Sequence, residues 1–114
     1  EGIMSKYPEG VAIICSNNDD MALAAARTAK DNPNYAKTIF LGFDGQKSAV
    51  EAVLNGELTM TAAQNNFDIG YKAVETMVKI LKGEQYDKVV DTGTEIITKD
   101  NAEERLTKFN EWMK

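Results

Sequence analysis

The sequence predicts an α/β fold, an open parallel sheet of the Rossmann or flavodoxin-like kind flanked by helices. Two observations carry that expectation. Short apolar runs of strand length recur along the chain, and each is followed by a segment with helical periodicity. Strands that alternate with helices are joined by right-handed crossovers, which makes the sheet parallel.

Taken in order, Glu1 to Pro8 reads as the frayed end of a helix, as though the chain begins in the middle of a domain. Val11 to Cys15 is a continuous apolar run of strand length. Asp19 to Lys30 follows with Met21, Ala22, Leu23, Ala25, Ala26 and Ala29, a small-residue helix able to lie close on a sheet. Asp31-Asn32-Pro33-Asn34 ends it. Thr38 to Leu41 is the second strand, Gly42 to Gly45 a turn, and Ser48 to Asn55 a short helix with Ala49, Val50, Val53 and Leu54 inward. Ser48 and Glu51 have the spacing of a capping box, and Gly56 supplies the stop.

Thr59 to Ala63 alternates as a third strand. Phe67 to Leu81 then sets Phe67, Gly70, Tyr71, Val74, Met77, Val78 and Leu81 on one helical stripe, closed by Gly83. Val89-Val90 and Glu95 to Thr98 read as two last strands around Asp91-Thr92-Gly93. A final helix begins near Asp100 and Asn101, either of which has a Glu three residues on for a capping box, and turns Leu106, Phe109 and Met113 inward. There is no internal repeat, low-complexity tract or Pro/Ser-rich linker.

Composition removes several functions. The 114 residues, 43% hydrophobic, are enough for one domain with a modest core. A net charge of -5, with Lys and Arg in neither a run nor a stripe, speaks against nucleic acid. No apolar stretch approaches the roughly 20 residues that span a bilayer, so direct membrane insertion is not expected. With no His and one Cys, the chain has no Ser-His-Asp or Cys-His nucleophile system, no His- or Cys-ligated zinc and no internal disulfide. Cys15, inside an apolar run, reads as a small buried side chain. No glycine-rich phosphate loop follows any strand, which counts against a nucleotide-binding enzyme on the same plan.

What remains is a trio, Asn18, Asp44 and Gln64, each just after an apolar run that reads as a strand. In an open α/β sheet the carboxyl ends of strands face the ligand crevice. An ionised carboxylate accepts from two hydroxyls at once, and each amide both donates and accepts, so the three together suit a polyhydroxylated ligand. Each has a plainer reading. Asn18 competes with Asn17, Asp19 and Asp20 to cap the following helix, Asp44 precedes a glycine as turn residues do, and Gln64 opens the polar run that continues with Asn65 and Asn66. Asp19 and Asp20 read as partners of the helix dipole rather than as a metal or acid-base pair. Phe43, Phe67 and Tyr71 read as core rather than as rings that stack on a ligand.

Three segments in register, Ala12-Ile13-Ile14-Cys15-Ser16-Asn17-Asn18-Asp19-Asp20-Met21-Ala22-Leu23, Phe40-Leu41-Gly42-Phe43-Asp44-Gly45 and Thr61-Ala62-Ala63-Gln64, closely resemble the C-terminal part of type I periplasmic sugar-binding proteins, the ribose-binding group. The resemblance runs from about Tyr7 to Thr98. It implies an incomplete three-layer lobe of a two-lobed, non-catalytic protein that encloses a pentose or hexose and delivers it to the membrane subunits of an ABC importer. It puts Asn18, Asp44 and Gln64 on the sugar and implies no cofactor and no metal. It also implies a periplasmic or extracytoplasmic location, lipid-anchored in the variant where an upstream segment carries the anchor.

Matched segment to segment, about 1–63 and 99–114 would belong to the C-terminal lobe. Residues 64–98 would hold hinge crossings and elements of the N-terminal lobe. The chain would thus be roughly the last third of such a protein, completed by the missing N-terminal part or by a second copy in a dimer. Three hydrogen-bonding residues without an opposing lobe are expected to bind sugar weakly. The alternative is the effector-binding core of a LacI-type transcription repressor, which shares the fold and the strand ending Gly-Phe-Asp. What precedes residue 1 separates the two, and Gly-Phe-Asp-Gly with the Gln64 strand end favours the importer component. A sensor ectodomain of a membrane kinase shares every feature of the first reading.

Overall fold

The computed structural model describes residues 1–112. The elements run α1 (Gly2–Lys6), β1 (Ile13–Cys15), α2 (Asp19–Ala29), a 3-10 turn (Pro33–Tyr35), β2 (Ile39–Asp44), α3 (Lys47–Asn55), β3 (Met60–Gln64), α4 (Asn66–Lys82), β4 (Thr94–Ile97) and α5 (Ala102–Trp112). The expected α/β alternation is present. Met113, expected on the inner face of the last helix, lies outside the described residues.

The sheet has the order β1-β2-β3-β4. Its first three strands are parallel, with Ile14 opposite Phe40 and Asp44 opposite Ala63. Two departures from expectation have local causes. Strand β2 runs on to Asp44, so Gly42 and Phe43 are paired strand residues facing Thr61 and Ala62 and not part of a turn. Strand β4 is antiparallel to β3, Gln64 facing Thr94. A parallel crossover needs the intervening helix to lie back over the sheet. Helix α4 has no buried residue and, beyond the contact of Phe67 with Trp112 of α5, runs clear of the body, so the chain re-enters at the edge it left. Val89-Val90 forms no strand and stays exposed.

The core lies on one face of the sheet. Ile14, Phe40, Ala63 and Ile97 pack there against Ala22, Leu23 and Ala26 of α2, Ala49, Val50 and Val53 of α3, and Ala102, Leu106 and Phe109 of α5. The opposite face carries Ile13, Cys15, Ile39, Phe43 and Ile96, all exposed. The described residues therefore supply two layers of the three-layer lobe. That one-sided coverage overturns the reading of Cys15 as buried, and Phe43 is not core for the same reason. Phe67 and Tyr71, also expected in the core, stand 52% and 63% exposed on α4, whose stripe faces no sheet.

Candidate functional site

Three parallel strands end side by side, and the predicted trio sits at their shared carboxyl edge. Asp44 and Gln64 are the last residues of β2 and β3, and Asn18 follows β1 at the start of α2. The amide Nε2 of Gln64 donates to Asp44 Oδ1 at 2.9 Å, so two of the three are brought together. Among the described residues Asp44 is the one non-glycine with positive φ, at 112°. A side chain with a Cβ rarely holds that backbone, and such outliers concentrate where a ligand must be met. Gly45, at φ 71°, makes the conformation possible, because a Cβ there would collide with Ala63 of β3.

Asn18 is the N-cap of α2: its Oδ1 accepts from the amide of Met21 at 2.9 Å. Capping and ligand contact are not alternatives here. The cap occupies one acceptor and leaves the two Nδ2 hydrogens as donors. The capping role falls to Asn18 because its neighbour Asp19 is drawn inward. Asp19 is fully buried, its Oδ1 taking the hydroxyl hydrogen of Thr61 at 2.6 Å and its Oδ2 the amide hydrogen of Gln46 at 2.7 Å. Thr61 Oγ1 in turn accepts from the amide of Gly45 at 3.3 Å. The capping box expected from Ser48 and Glu51 does not form, since α3 starts at Lys47. Asp19, reaching across from α2, serves that helix end instead.

Burial pushes the Asp19 carboxyl above its ordinary 3.8; the bonds from Thr61 and Gln46 pull it down, and the Asp44 charge adds to the rise. Gly42 is the residue that leaves Asp19 room, because a Cβ there would strike its Oδ1. Sequence reasoning placed Asp19 on the helix dipole and left Thr61 and Arg105 unremarked. A hydroxyl on the inner parity of β3, in step with Ala63, is the signal that marks Thr61. Arg105, Phe109 and Trp112 share a helical face by spacing, which is the signal for Arg105. That residue is 4% exposed, and its Nη2 donates to the carbonyl of Gln64 at 2.8 Å.

Asp44 and Gln64 thus offer carboxylate acceptors, an amide acceptor and an amide hydrogen beyond the one they share. No general-acid partner or metal-ligating cluster joins them among the described residues. A cavity of about 460 Å³ lies near the end of β3, lined by Ala63, Asn65, Asp68, Thr94, Arg105 and Trp112 among others. Neither Asp44 nor Gln64 lines it.

Known proteins similar to this chain in sequence and shape agree on one family. A model of the periplasmic binding protein domain matches residues 1–85. The ribose import binding protein RbsB of Escherichia coli is 33% identical over 99 residues, which cover 87% of this chain and 33% of that protein. The D-allose-binding periplasmic protein of the same organism is 34% identical over 76 residues, covering 67% and 24%. Among solved structures, an ABC transporter solute-binding protein from Agrobacterium vitis with bound D-fucose superimposes with a TM-score of 0.77 at 30% identity, covering 88% of this chain and 34% of that one. The chain spans about a third, or less, of each of these proteins. On these matches the chain belongs to the periplasmic binding protein domain family.

Proposed function

We propose that the chain carries part of the binding surface for a monosaccharide, a pentose or hexose. In this reading Asp44 and Gln64 are the paired ligand residues and Asn18 is a donor on the same edge. The observation that carries it is the hydrogen-bonded Asp44–Gln64 pair at the ends of adjacent parallel strands, with Asp44 held at φ 112°. An aligned carboxylate and amide match the mixed donor and acceptor character of neighbouring sugar hydroxyls. The relatives' names point the same way, to ribose, D-allose and a structure with bound D-fucose.

The protein is then a non-catalytic solute-binding component of a periplasmic ABC import system, its ligand enclosed by two closing lobes. Residues about 1–63 and 99–114 form one lobe, and 64–98 carry hinge crossings and elements of the other. The separation of α4 from the body supports that division. The missing surface comes from the rest of a longer chain or from a second copy.

Titration of the isotope-labelled chain with D-ribose, D-allose and D-fucose, followed by NMR, tests the site. Shifts confined to Asn18, Asp44, Gln64 and their neighbours are expected, with dissociation constants of about 1 mM or weaker, because a few net hydrogen bonds barely exceed the entropy lost on binding. Asp44→Ala should abolish them while the rest of the spectrum stays folded. Shifts that persist in Asp44→Ala, or that fall elsewhere, would remove Asp44 from the site. Micromolar affinity in calorimetry would show that no opposing lobe is needed.

A further inference from the structure

We propose that Arg105 is the positioning residue of the ligand pair: by holding the main chain of Gln64 it keeps the Gln64 amide on Asp44. Its guanidinium is 4% exposed, sits 5.2 Å from the Phe109 ring centroid and 4.9 Å from that of Trp112, and so is fixed in orientation by two aromatic faces. Nη2 donates to the Gln64 carbonyl at 2.8 Å, and Nη1 lies 3.6 Å from Glu95 Oε2 on β4. One planar cation therefore ties together the last residue of β3 and the second residue of β4. Gln64 and Thr94 are the register pair at which the chain leaves the sheet and returns to it.

Strand ends fray, and the residue after Gln64, Asn65, is tied forward into α4, its Nδ2 donating to Asp68 at 2.8 Å, rather than back onto the sheet. A fork held rigid by stacking is suited to this task in a way that a flexible ammonium is not. Trp112 also stacks on Phe67, the second residue of α4, at 6.0 Å. The same cluster that grips Gln64 thus touches the element that departs from it. Reorientation of α4 at the crossing is felt at the Asp44–Gln64 bond through Trp112 and Arg105.

The inference deepens the sugar-binding reading and matters to sugar only if Gln64 is a ligand residue, but it is tested without sugar. In spectra of the labelled chain, Arg105→Met should move the Gln64 side-chain amide signals toward those of a free amide. Their exchange with water should rise about tenfold, the ratio that one net hydrogen bond of ordinary strength represents. The Met21 amide, capped by Asn18, should not change. Arg105→Lys should restore only part of the protection. Unmoved Gln64 amide signals in a folded Arg105→Met chain would overturn the proposal. Should that variant fail to fold, Glu95→Gln decides: Glu95 is half exposed, and loss of its ion pair should shift the same Gln64 signals by a smaller amount, whereas no shift overturns the clamp. The sugar titration tests the ligand role separately, so each can fail without the other.

Discussion

Asp44 keeps a backbone conformation that costs on the order of 1–3 kcal/mol for a residue with a Cβ, offset by its hydrogen bond to Gln64. The strain makes a clean prediction. At an ordinary position Ala is more stabilising than Gly by roughly 0.5–1 kcal/mol. At position 44 the order should invert, Asp44→Gly exceeding Asp44→Ala by about 1 kcal/mol or more in chemical denaturation. Both variants should lose the sugar-induced shifts; an Ala variant as stable as the Gly variant would mean that φ 112° is not a strained state. The three candidate positions were legible because apolar runs mark strand ends and polar residues follow them. Their partnership was not. It depends on the β2–β3 register, which sets Asp44 opposite Ala63 and so beside Gln64, and on a φ that no residue pattern encodes. Nor does spacing choose a cap from Asn17, Asn18, Asp19 and Asp20; the burial of Asp19 does.

At the scale of elements, one carboxylate joins three of them. Asp19 begins α2, receives the first amide of the α3 turn through Gln46 and the hydroxyl of Thr61 from β3, and fills the space that Gly42 leaves on β2. Asp19→Ala should cost about 3 kcal/mol, since it leaves the buried Thr61 hydroxyl and the half-buried Gln46 amide without their acceptor. The charge itself has a pH signature. The unfolded chain releases this proton near 3.8, whereas the folded chain, where burial disfavours the ion, keeps it to higher pH. Between those two values the folded state binds more protons, so Asp19's contribution to stability is full below the unfolded value and falls as pH rises through the folded one. The advantage of the native chain over Asp19→Asn should therefore shrink as pH rises above the ordinary 3.8, as read from denaturation midpoints; an advantage that grows would reverse the sign of the shift. Periodicity made the helices and strands legible here, α4 included. Periodicity has no direction, however, and could not show that β4 runs antiparallel or that the α4 stripe faces no strand of this chain.

The whole molecule is extended, 59 × 29 × 18 Å, with a radius of gyration of 17.9 Å where a compact domain of this length has about 13 Å. It exposes 7829 Å², against about 6,200 Å² for a compact monomer of 12.6 kDa. The difference, about 1,600 Å², is roughly twice the 800 Å² or so that one partner contributes to a standard protein–protein interface. Much of it is apolar and falls on two surfaces. One is the uncovered sheet face with Ile13, Ile39 and Ile96; the other is the α4 stripe, where Phe67, Tyr71, Val74 and Val78 border a groove of about 720 Å³. Parallel strands are ordinarily covered on both faces, so a chain that presents these surfaces alone should bury them against another copy. Light scattering should report a mass above 12.6 kDa that rises with concentration. Val74→Asp, at a position 67% exposed on a helix with no buried residue, should weaken that association about tenfold or more by removing an apolar contact. It should leave the melting of the α2–α3–sheet body unchanged, because that body does not rest on α4. A compact monomer at every concentration would mean that α4 folds back over the naked sheet face, and the two exposed surfaces would then be each other's cover.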